Sequence, residues 1–136
     1  ADARADPGGR ARRVARDRPA WPLVCSSGWP NVAVTTLLRQ LAAAGAHLRC
    51  HADFDPPGVL ITRHLIRQVG AEPWRMTARD YRAGADEADR AGPTFAGSVP
   101  DTPWDPALAR AMRARRRVVF EEDVMVALFA PDEGGT

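Results

Sequence analysis

The sequence has no lysine: all nineteen basic residues are arginine. It has two cysteines, one tyrosine and few other aromatics, and no long apolar run. Each scarcity excludes something. Two cysteines, Cys25 and Cys50, form neither a Cys-x-x-Cys pair nor a Cys/His zinc spacing, so a zinc module and a disulfide scaffold are both excluded. Both lie in apolar surroundings and are expected to be free, buried thiols in a reducing cytoplasm. No segment approaches the roughly 18 apolar residues of a membrane span, and no signal-peptide pattern opens the chain. A cytoplasmic protein with no membrane partner is expected. The lysine-free, alanine-rich bias points to a GC-rich bacterial genome rather than to any chemistry. The chain opens on Ala1 rather than Met, and a longer parent protein with an upstream domain is expected.

What is present suits one globular domain: 136 residues, 45% hydrophobic and 26% charged. The net charge is only +2, too small to demand a nucleic-acid partner. Arginine is nonetheless concentrated, at residues 10–18 and again at Arg113, Arg115, Arg116 and Arg117. Such a cluster reads equally as a solvated face or as a phosphate-contacting one.

Residues 1–20 read as an Arg-rich leader with a possible short helix at 10–17, residues 21–130 as the domain, and 131–136 as a tail. Trp21 to Cys25 reads as a buried strand, followed by a turn at Ser26-Ser27-Gly28-Trp29-Pro30-Asn31. A helix is expected over 32–44, with Val34, Leu37, Leu38 and Leu41 on its apolar side and Gly45 ending it. A strand follows over 47–54, and a helix over 58–69 with Leu60, Ile61, Leu65 and Ile66 apolar and Gly70 as its stop. Residues 73–76 read as a strand, 79–91 as a surface helix and 92–104 as a loop. Asp105-Pro106 opens a helix to about Arg115, with Asp as N-cap and Pro as first residue. Residues 118–129 read as a short extended entry into a last helix. Strands alternating with helices of this length predict an α/β fold with a mostly parallel sheet.

The stretch His51-Ala52-Asp53-Phe54-Asp55-Pro56-Pro57-Gly58 carries the chemistry. Ligands in parallel sheets bind where strands end, and residues i and i+2 of an extended segment share a face. Asp53 and Asp55 therefore converge, and two converging carboxylates repel unless a cation offsets them. Mg²⁺, with its preference for one or two carboxylates plus water and phosphate oxygens, suits such a pair, and Mn²⁺ is its nearest substitute. The plainer reading is that Asp55, standing before two prolines, opens a turn or caps a helix. Glu121 and Glu122 are further candidate metal ligands, or acids placed to suit a helix dipole. His51 is a candidate ligand or proton shuttle, or an ordinary hydrogen-bonded histidine. Ser26, Ser27 and Gly28 precede a helix and form either a phosphate-holding turn or a simple one. No histidine or acid spacing supports a serine nucleophile. Tyr81 reads as a packing or capping contact, and Trp21, Trp29, Trp74 and Trp104 as core or turn-packing residues.

Taken as a set, Gly28-Trp29-Pro30, Asp53-Phe54-Asp55-Pro56-Pro57-Gly58-Val59-Leu60-Ile61, Pro73-Trp74-Arg75-Met76, Asp80-Tyr81, Pro103-Trp104-Asp105-Pro106 and Glu121-Glu122 carry a resemblance across residues 21–130. The chain resembles the Toprim (topoisomerase–primase) superfamily, specifically the C-terminal Toprim-like domain of an uncharacterised bacterial family related to the topoisomerase VI A subunit and to the Toprim nucleases of Wadjet-type plasmid defence. The resemblance implies a three-layer Rossmann-like fold and Mg²⁺ held by Asp53 and Asp55 as catalytic carboxylates. It also implies DNA nicking or cleavage, in plasmid or phage defence by analogy. Arg63 and Arg75 would hold the DNA backbone. Family members add a Glu on a preceding strand; residues 1–20 contain none, so either that strand lies upstream of this chain or the Glu has been lost. Against the enzyme stands a second reading, a non-catalytic nucleic-acid-binding or protein-interaction module that keeps the fold.

Overall fold

A computed structural model describes residues 28–88 and 92–121. The sequence-predicted strand at Trp21–Cys25, the leader, Cys25, Ser26, Ser27, Glu122 and the last helix lie outside the described residues.

Asn31 accepts the amide of Val34 with its side chain at 2.9 Å and starts helix α1, Val32–Ala43. The chain leaves it through Gly45 at φ +89°, a left-handed conformation that glycine adopts without strain. Strand β1 (Arg49–Cys50) follows, then helix α2 (Pro56–Val69), which Gly70 ends at φ +65° while its amide returns to Ile66. Strand β2, Glu72–Pro73, lies parallel to β1 with Arg49 opposite Glu72 and Cys50 opposite Pro73. Bonds of 2.8 Å from Glu72 N to Leu48 O and from Trp74 N to Cys50 O fix that register. Two more helices complete the order, α3 (Ala78–Glu87) and α4 (Pro106–Arg115). The described residues therefore form a mixed α/β unit whose sheet has two parallel strands.

The caps are local chemistry. Thr77 and Asp80 form a reciprocal capping box at the start of α3. Asp105 caps two helices at once: Oδ1 accepts from Ala107 at 3.2 Å and Oδ2 from Ala78 at 2.8 Å, tying the starts of α3 and α4 together. The core gathers where these helices meet: Tyr81, Ala85, Leu108 and Met112 pack with Met76, Val99, Phe54, Val59 and Val119. The hydroxyl of buried Tyr81 donates to the Arg117 carbonyl at 2.8 Å and accepts from the Arg117 amide at 3.1 Å. The packing role expected of this tyrosine holds.

Three expectations are corrected. The 47–54 strand contracts to Arg49–Cys50, with Phe54 paired in isolation to Val119, because only those residues find a partner backbone. The 73–76 strand likewise contracts to Glu72–Pro73. The apolar side of α2 is rotated: the residues it buries fully are Gly58, Val59 and Thr62, while Leu60 stays 43% exposed. Thr62 is tolerated inside because its hydroxyl donates to the Gly58 carbonyl at 2.8 Å. Trp29 takes the turn-packing role rather than the core one: it is 54% exposed and stands edge-on to His64 of α2, with ring centroids 5.3 Å apart. Cys50 is a free, half-buried thiol, pushed up to about 12 by its partial burial.

Candidate metal and nucleic-acid site

Phe54 organises the carboxylate turn. Its ring is 1% exposed, and its backbone exchanges bonds with Val119 at 2.8 and 3.4 Å. With Phe54 turned inward, Asp53 and Asp55 flank it on the outer side, the i, i+2 relation expected of extended backbone. Asp55 caps α2: its Oδ1 accepts from Gly58 N at 2.7 Å. Pro56 and Pro57 fill the first helical positions, where the missing amides cost nothing. Asp53 Oδ1 accepts from Glu121 N at 2.6 Å, fastening the turn to the segment after Val119.

Gly58 closes the turn. A Cβ at this position would stand 1.8 Å from the Asp53 carbonyl oxygen and 3.1 Å from Asp55 Oδ1. Only glycine allows α2 to start so close to the strand end.

The electrostatics set the two acids apart from ordinary caps. Burial raises the Asp55 proton affinity, the Gly58 bond lowers it, and the Asp53 charge raises it again. No arginine enters that balance. Each Asp uses Oδ1 on a backbone amide, leaving Oδ2 without a protein donor among the described residues. Two like charges at a rigid turn, each with one free oxygen, fit a small divalent cation. Among the described residues no group of three or more His, Cys, Asp or Glu side chains is gathered to hold a metal. Among the described residues protein ligation there would be limited to this pair, and Mg²⁺ characteristically completes such a shell with water and phosphate oxygens.

His51 borders the turn. A carbonyl can only accept, so Nδ1–H donates to Trp74 O at 2.9 Å and fixes the tautomer. Nε2 is then a lone-pair acceptor, buried and without a partner. Burial lowers the imidazole pKa, while the Trp74 bond and the charges of Asp80 and Asp53 oppose that shift. The ring is held neutral, edge-on to Phe54 at 5.8 Å.

The other candidates distribute as follows. Glu121 reaches the turn through its backbone amide. Gly28, at φ +98°, lies in an exposed turn that Trp29 fastens to α2. Arg75 has a left-handed φ of 51° and stacks its guanidinium 5.1 Å over Trp74. Arg63 stands two turns along α2 from the carboxylates and lines an open cleft with Arg67, Pro73, Pro103 and Trp104. The sequence reading missed Arg67, although its i+4 spacing from Arg63 on a helix was the available signal.

The site is thus a carboxylate turn between a parallel strand and a helix, the class of strand-end site used by α/β ligand-binding proteins. The chain itself belongs to the family described as "Protein of unknown function C-terminus (DUF2399)", whose pattern matches residues 10–131. No curated protein and no solved structure matches it. No helix among the described residues is long and apolar enough to cross a membrane.

Proposed function

We propose that the chain is a Toprim-like domain supporting Mg²⁺-dependent processing of DNA, by nicking or cleavage of a phosphodiester. One observation carries this reading: Asp53 and Asp55 flank Phe54 at a turn closed by Gly58, each fastened through Oδ1 to a backbone amide. Asp53 and Asp55 would hold the ion through Oδ2. Such an ion, when bound, stabilises negative charge on the scissile phosphate and its leaving oxygen. The turn keeps both carboxylates fixed through the Glu121 and Gly58 amides, so little reorganisation accompanies binding. His51, with Nε2 enclosed and its proton affinity lowered by burial, would support the turn through its bond to the Trp74 carbonyl rather than take a proton.

The second reading, a non-catalytic module with a Toprim-like fold, draws on the described residues gathering no third acidic or histidine ligand. Mg²⁺ and Mn²⁺ calorimetry on the chain and on Asp53→Asn/Asp55→Asn separates the two, with plasmid nicking run alongside. Asparagine retains an acceptor for both backbone amides and removes only the charge. Metal binding and nicking that vanish together in the variant support the enzyme. A chain that binds no metal and nicks nothing is the module.

A further inference from the structure

The described arginines fall into two sets. Those of the 113–117 run that invite a nucleic-acid reading are engaged with the protein itself. Arg113 bonds the Val99 carbonyl at 2.7 Å and Asp101 at 2.8 Å. Arg115 pairs with Asp86 at 2.7 Å, and Arg116 donates to the Gly97 carbonyl at 2.7 Å. Arg63 and Arg67 differ. They stand one turn apart on α2, and neither forms an ion pair with a carboxylate among the described residues; the Arg63 charge acts only weakly on the fully exposed Asp101.

These two guanidiniums border an open cleft of about 410 Å³ whose other walls are Ile66, Pro73, Pro103 and Trp104. No acid lines it. The Trp104 indole N–H donates to the Met76 carbonyl at 2.8 Å, which fixes the ring and removes its only polar donor from any ligand. The cleft therefore offers an apolar aromatic and proline wall beside a doubled positive charge. That pairing matches the repeating unit of a nucleic-acid strand, a flat base next to a phosphate.

We infer that the Arg63–Arg67–Trp104 cleft holds a single strand of nucleic acid, with phosphate on the arginine pair and a base against Trp104 and the two prolines. Recognition of this kind is tolerant of sequence, since every base has a stacking face and the wall has no hydrogen-bond donor to read its edge. The choice of nucleic acid as occupant rests on the function proposed above. The shared helix strengthens it: along the α2 axis Arg63 lies about 12 Å and Arg67 about 18 Å from Asp55, so a strand held in the cleft is within a few nucleotides of the carboxylate turn.

The test is fluorescence anisotropy with labelled oligothymidylate in EDTA, where no divalent ion engages Asp53 and Asp55. Arg63→Ala/Arg67→Ala is expected to weaken binding about tenfold at low salt and to reduce the salt slope by about 1.4, the value for two single-strand phosphate contacts. Arg79→Ala/Arg82→Ala removes the same charge from two exposed positions of α3 and is expected to cost about twofold or less. Arg63→Gln/Arg67→Gln, checked by thermal melting, serves if the alanine pair fails to fold. Absence of binding by the parent chain, or equal losses in the two arginine pairs, overturns the proposal. So does polyglutamate competing for the cleft as well as the oligonucleotide, because the occupant would then be an acidic peptide. Binding in EDTA that depends on Arg63 and Arg67 without any Mg²⁺-dependent nicking would leave the cleft standing and sink the carboxylate reading; nicking without such binding would do the reverse.

Discussion

Around α3 and α4 the chain hides its large side chains and pairs the arginines at the end of α4; along α1 and the outer side of α2 it does neither. Tyr81, Leu108 and Met112 are fully buried, and Arg113 and Arg115 have carboxylate partners. In contrast α1 buries no residue fully, Leu37 is 41% and Val32 84% exposed, and Arg63 and Arg67 face an open cleft. Stability is concentrated in the first region, while the second holds the uncommitted chemistry. The carboxylate turn joins them: Phe54 enters the core of the first region, and Asp55 starts the helix of the second.

The sharpest way to break this comparison is at the joint. Gly58→Ala forces a Cβ to within 1.8 Å of a backbone oxygen, so either α2 or the turn must move. A loss of about 4 kcal/mol is expected in chemical denaturation, with loss of any metal binding in whatever folded protein remains. Unchanged stability would show that the turn has slack and that its rigidity is not the basis of the site.

Within each region the same truncation should have unequal effects. Met112→Ala leaves a cavity among fully buried neighbours and is expected to cost about 3 kcal/mol. Leu37→Ala removes a half-exposed side chain and improves helix propensity, so about 1 kcal/mol or less is expected. Equal losses in the two variants would mean that α1 is packed as tightly as α4. Between these lies Tyr81→Phe, which preserves the ring but strips both bonds from the part-buried Arg117 backbone. About 2 kcal/mol is expected by thermal or urea unfolding, and no effect on oligonucleotide binding.

Much of this division was legible in the sequence wherever the cause was local. Asp55-Pro56 and Asp105-Pro106 announce helix starts, and Gly70 a stop, because capping needs only neighbouring residues. The capping role of Asp55 was legible for the same reason. Strand extents were not, since Arg49–Cys50 and Glu72–Pro73 are strands only through each other. Nor was the buried line of α2, which Gly58 sets by close approach to the Asp53 backbone rather than by hydrophobicity, leaving Leu60 outside. Arginine density misled in an instructive way. The dense run at 113–117 is largely bonded to the fold, and the sparse pair at 63 and 67 is not. Only three-dimensional pairing decides which positive charge remains to be used.

The smallest expected effect concerns His51, at the edge of the same joint, and it is read from pH. Burial, the leading influence, holds the imidazole below its ordinary value of 6.5 in the folded chain, and Arg75 adds to that shift. The Trp74 carbonyl and the charges of Asp80 and Asp53 oppose it without reversing it. The unfolded chain therefore binds this proton more readily, and stability must fall as pH drops below about 6.5 toward the folded-state pKa. Asp55 acts in the opposite sense: its raised folded-state pKa penalises the fold once pH rises through that value, and the penalty lifts in acid. The His51 window opens downward from 6.5 and the Asp55 window upward from 3.8, and their slopes have opposite sign. His51→Asn, whose amide retains a donor for Trp74, is expected to flatten the stability profile between about pH 7 and 5 while leaving the acid limb of Asp55 in place. Parallel profiles for variant and parent across that interval would mean that His51 protonates as easily folded as unfolded.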